Sequence, residues 1–97
     1  MKVFSVNYDL RAKATPDYKG LEEELKRSYR WWHYLESTWL IVTSETADDL
    51  WRRIQPHFHE KDYALVIEVR RNSQGWLPEE AWQWINENVP SGSEVYR

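Results

Sequence analysis

The sequence predicts an α+β fold: a ferredoxin-like order β-α-β-β-α-β with a helix appended on the C-terminal side. Three observations lead there. The first ten residues alternate in the manner of a strand. The one long β-rich run, Trp31 to Ser44, has room for two strands. Helix start signals stand at Thr15-Pro16, at Ser44 to Asp49 and at Pro78.

In the first strand, Phe4, Val6, Tyr8 and Leu10 point one way, and Val3, Ser5, Asn7 and Asp9 the other. The connection Arg11 to Thr15 is polar. Thr15 as N-cap, Pro16 at the first helical position and Asp17 in the first turn open a helix to about Ser28. Its buried stripe is Tyr18, Leu21, Leu25 and Tyr29, with Glu22–Lys26 and Glu23–Arg27 pairs on the exposed side. Gly20 lowers helicity and permits close approach to the sheet.

Trp31 to Ser44 is dense in aromatic and β-branched residues, and its 14 residues are long for one strand. Glu36-Ser37 is the expected break. The second helix is capped by Ser44 or Thr46, has Glu45, Asp48 and Asp49 near its start, turns Ala47, Leu50, Trp51 and Ile54 inward, and ends at Pro56. After a polar loop, His57 to Asp62, comes a strand from Tyr63 to Arg70. It carries Tyr63, Leu65, Ile67 and Val69 on one face, and Leu65 and Ile67 are expected to lie largely buried. Asn72 to Gly75 turn the chain. Pro78 opens the third helix, with Ala81, Trp82 and Ile85 inward. Residues 1–89 thus read as one domain and 90–97 as a mobile tail, in which Val95-Tyr96 could add to a sheet edge. The sheet face away from the first two helices needs the third helix or a second subunit to cover it.

The 97 residues support a modest core, a size at which dimerisation often adds stability. With no cysteine, disulfides and thiolate zinc sites are excluded, and no apolar run or signal-peptide pattern stands out. The expectation is a soluble, cytoplasmic protein without membrane contact. A net charge of −3 argues against strong non-specific duplex binding, which rests on phosphate contacts. Seven Trp and six Tyr supply core, interface or base-stacking surface.

Asp9, at the C-terminal end of the first strand, is the candidate catalytic and metal-holding carboxylate. It reads equally as a cap of the following turn. If the first and last strands pair, Asn7 and Glu68 fall on neighbouring positions. His57-Phe58-His59 offers two imidazoles but no evident third zinc ligand. No nucleophile elbow and no glycine-rich phosphate loop is present. Lys26-Arg27, Arg30, Arg52-Arg53 and Arg70-Arg71 are the basic groups, and Trp31-Trp32 adjoins Arg30. Such a cluster either clamps bases or forms a solvated rim.

The triplet Tyr8-Asp9-Leu10 closing the first strand, followed by a helix and then Leu35-Glu36-Ser37-Thr38-Trp39, resembles the CRISPR-associated protein 2 family. VapD-type toxin ribonucleases are similar in fold and first strand. The resemblance spans roughly residues 1 to 70. It implies a homodimer of ferredoxin-like subunits whose first-strand carboxylates, here Asp9, face each other. It also implies association with RNA or DNA and, in some members, cleavage with Mg²⁺. Ser37 is the second residue it carries over; Asn7, Arg11, Arg30 and Trp31 are the candidate binding residues beside these two. The chain departs from the family in lacking a basic run after the Asp, where only Arg11 and Lys13 stand, and in its tryptophan-rich region Gly75 to Asn88. The alternative function is a non-catalytic module whose open sheet face and tryptophans hold a protein or a nucleotide-like ligand.

Overall fold

The computed structural model describes residues 1–11 and 18–92. They form an α+β domain with a four-stranded antiparallel sheet and three helices. The elements are β1 (Lys2–Asp9), α1 (Lys19–Leu25), β2 (Arg30–Leu35), β3 (Thr38–Thr43), α2 (Ala47–Ile54), a 3₁₀ turn (Gln55–His57), β4 (Tyr63–Glu68) and α3 (Glu79–Asn88). The strand order is β2-β3-β1-β4, an arrangement compatible with a ferredoxin-like fold. Among the described residues, no helix is long and apolar enough to cross a membrane.

Alternation along β1 splits the core in two, because successive side chains leave opposite faces of a strand. Phe4 and Val6 join Trp39 and Ile41 under Leu21 and Leu25 of α1 and Leu50 and Ile54 of α2. Val3 points the other way and packs with Trp32 and Val42 against Ala81, Ile85 and Val89 of the α3 segment. The third helix therefore covers one end of the second face. The buried Trp32 indole fixes it there, donating to the carbonyl of Ala81 at 3.1 Å.

Local signals place the helix ends. Thr46 is the N-cap of α2: its hydroxyl accepts from the Asp49 amide at 3.1 Å, and Asp49 accepts from the Thr46 amide at 3.3 Å. The break after Leu35 falls at Glu36-Ser37 as the sequence predicts. The helix start expected at Thr15-Pro16-Asp17 lies outside the described residues.

Several expectations are corrected. Leu65 and Ile67 are 55% and 49% exposed, because α3 stops short of the part of the sheet face they occupy. Tyr29 is exposed, since α1 ends at Leu25 and the stripe does not continue. Ala47, at the first position of α2, also faces solvent. In place of Glu22–Lys26 and Glu23–Arg27 pairs, Arg27 meets Glu24 at 3.7 Å and the Lys26 ammonium lies 5.2 Å from the Trp31 ring centre. Gly20 makes room for a side chain rather than the sheet: a Cβ there would stand 2.9 Å from Nδ1 of His57. At the far end, Pro90 accepts from the Arg71 amide at 2.6 Å and Ser91 bridges Arg71 in parallel. Val95-Tyr96 lies outside the described residues.

Candidate functional site at the mouth of the sheet

Asp9 is the last residue of β1, a central strand, and pairs with Tyr63 at the start of β4. That register brings the neighbouring loop residue, Asp62, to the same end of the sheet. Arg11 turns back on Asp9, its Nε donating to Oδ2 at 2.9 Å, and its guanidinium lies 5.0 Å from the Tyr63 ring centre. Both partners of the pair are more than half exposed, so solvent screens it and it adds little to stability. The carboxylate nevertheless holds Arg11 firmly in its charged form.

Asp62 is the hub that sequence reasoning missed. Its Oδ1 accepts the Arg11 amide at 2.7 Å; its Oδ2 accepts the Tyr18 hydroxyl at 2.6 Å and the His59 amide at 2.9 Å. One carboxylate thus fixes the residues on either side of 12–17 to the loop before β4. The Tyr18 phenol is pushed up to about 12, first by loss of hydration and then by its bond to Asp62, and stays neutral at physiological pH. No local motif announces Asp62; a lone Asp in a polar loop reads as solvent-facing, and only the β1–β4 register reveals it.

A cleft of about 370 Å³ opens between α1, the end of β1 and the β2–β3 turn, lined by Tyr8, Asp9, Tyr18, Glu22, Glu36 and Ser37 among others. The Tyr8 hydroxyl accepts the Trp39 indole N–H at 2.9 Å. Burial pushes the Tyr8 phenol up against that bond, and the fields of Glu22 and Glu36 push the same way. The cleft is acidic and rimmed by two neutral phenols.

The expected site residues divide among three places. Asp9, Arg11 and Ser37 gather at the mouth, where the Ser37 carbonyl accepts the Tyr8 amide at 3.2 Å. Asn7 faces the opposite side of the sheet and is occupied: its amide donates to Ser5 at 2.9 Å and its Oδ1 accepts from Thr38 at 3.0 Å. Arg30 and Trp31 begin β2, at the end remote from the mouth, opposite Val42 and Ile41. Glu68 pairs with Phe4, five positions from Asp9, so it does not join the mouth. His57 and His59 part company, the first beside Gly20 and Glu24, the second against the Tyr18 ring. Among the described residues, no group of three or more His, Asp or Glu side chains is arranged to hold a metal ion.

Comparison with protein-family models, with curated proteins and with solved structures finds no match to the chain.

Proposed function

We propose that the chain is a diverged relative of the CRISPR-associated protein 2 family: a ferredoxin-like homodimer that associates with nucleic acid, with Asp9 the residue on which any cleavage depends. The observation that carries this reading is the position of Asp9, the terminal residue of a central strand, opening onto a cleft at the mouth of the sheet. The strand order β2-β3-β1-β4 and the Glu36-Ser37 turn facing Asp9 across that cleft agree with it.

Mg²⁺ prefers a near-octahedral shell of carboxylate and water oxygens. One chain does not fit it: Asp9 is paired with Arg11, and Asp62 already accepts three donors. The endonuclease form of the reading therefore needs two Asp9 carboxylates meeting across a two-fold axis, where identical residues come together.

The test is binding and cleavage of labelled RNA and DNA with Mg²⁺ or Mn²⁺, wild type against Asp9→Asn, with the oligomeric state measured by sedimentation. Cleavage lost on substitution supports the endonuclease, and equal binding without cleavage supports an architectural role. A monomer that binds no nucleic acid refutes both.

A second reading, the non-catalytic binding module, is favoured by a specific feature. Tyr63, Leu65 and Ile67 stand exposed along one side of the edge strand β4, and the loop residue Trp76 is almost wholly in solvent. Such a surface suits a protein or a nucleotide-like ligand.

A further inference from the structure

We propose that the edge of the sheet at the start of β2, with the turn leading into it, is a stacking platform for single-stranded nucleic acid. The proposal rests on the nucleic-acid reading above and assigns it a surface separate from the Asp9 mouth.

The chemistry is concentrated in residues 26–31. Tyr29 and Trp31 are 63% and 40% exposed. Each ring has a cation beside it: Arg30 at 5.3 Å from Tyr29 and Lys26 at 5.2 Å from Trp31. Lys26 and Arg30 form no ion pair among the described residues, so their charge is available to phosphate. The platform is also pre-set. Trp31 leans on the fully buried Trp39 at 5.5 Å between ring centres, and Arg30 is fixed by donating to Asn88 Oδ1 at 2.9 Å. Rings held in place lose little freedom when a base stacks on them.

The middle of the sheet offers no such surface. On the face away from α1 and α2, the central strands present Ser5, Asn7, Thr38 and Leu40, none of them aromatic. Stacking with nearby cations recognises unpaired bases, whose ring faces are open, whereas in a duplex those faces are covered. The overall charge of −3 limits binding to this local patch.

The test is fluorescence anisotropy of labelled oligothymidylate and oligouridylate as a function of salt. Tyr29→Ala and Trp31→Ala should each weaken binding about fivefold or more. Lys26→Gln/Arg30→Gln should flatten the salt slope by roughly 1–1.5. Arg52→Gln, on the exposed side of α2, should bind as the wild type does. Trp31 touches the core, so Tyr29→Ala and the double charge variant decide the matter if Trp31→Ala unfolds. If those two bind single strands as tightly as the wild type, or if duplex or polyglutamate competes equally well, the platform is wrong while the nucleic-acid reading stands. If the wild type binds no nucleic acid, both fall.

Discussion

Replacing Arg53 by Ala should be among the most damaging changes to a charged residue in this chain. The guanidinium meets Glu45 with two bonds, Nε to Oε2 at 3.1 Å and Nη2 to Oε1 at 2.9 Å. It also donates to the Glu24 carbonyl at 2.8 Å, to Glu24 Oε2 at 3.2 Å and to the Ser28 hydroxyl at 3.0 Å. One side chain thereby ties α2 to the C-terminal end of α1 and to the turn after β3. Its side chain is 22% exposed, and those of Glu24 and Glu45 are 17% and 26% exposed. Removing one partner of a fully buried pair costs about 3–5 kcal/mol, much of it from the charge left behind. Partial solvation lowers that here, and about 2–4 kcal/mol is expected. With a urea slope of about 2 kcal/mol/M, the unfolding midpoint should fall by roughly 1–2 M. Arg53→Lys should recover less than half, since an ammonium cannot make the planar two-bond contact. A double-mutant cycle with Glu45→Gln should return a coupling of about 1 kcal/mol or more. A loss under about 1 kcal/mol for Arg53→Ala, or full rescue by Lys, would show that the network is ornamental.

Three further outcomes are expected. Leu25→Ala and Ile54→Ala, both fully buried between the helices and the sheet, should each cost about 2–5 kcal/mol in chemical denaturation; under about 1 kcal/mol in both would contradict the assigned core. Asp62→Ala should remove the shared acceptor of Arg11, Tyr18 and His59 and cost about 1–3 kcal/mol, while its Tyr18 phenol should titrate at lower pH by ultraviolet absorbance; an unmoved titration would deny that the carboxylate holds the phenol proton. Stability should fall on acidification: the Arg53 bonds hold the Glu45 carboxyl below its ordinary range, and the Thr46 amide and hydroxyl hold Asp49 below its own. Both depressed carboxyls contribute above their unfolded values, and the unfolded chain binds more protons as pH drops below about 4.5, so the contribution is lost through the native values. Thermal melts from pH 6 to pH 3 should show this loss diminished in Glu45→Gln.

What could be read from the sequence is what local rules determine. The period-2 alternation of β1 assigned Val3 and Phe4 to different faces, and the Glu36-Ser37 break divided the aromatic run in two, because both depend on neighbours in the chain. The same alternation identified Leu65 and Ile67 as one face but could not say how far a helix would reach across it. Strand pairing alone suggests Glu68 near Asp9; the register, which the sequence does not carry, places it opposite Phe4. Asp62 and Arg53 were missed for a common reason. Each works through partners distant in sequence, and each looks in isolation like an ordinary surface charge.

The position of β1 between β3 and β4 has a consequence for how the chain is made. During synthesis the strand is complete long before either partner exists: β3 begins at Thr38 and β4 ends at Glu68. At about 5–20 residues per second, roughly 3–12 s separate the emergence of Asp9 from that of Glu68. Throughout that interval, a strand bearing Val3, Phe4 and Val6 has at least one edge unpaired, and the Val3 face still awaits α3. Since β1 feeds both halves of the core and both halves also draw on β3, neither half can consolidate before β1 pairs with β3. The ribosome-bound chain is therefore most open to miscontact at β1, and assembly must wait on pairings of long sequence separation.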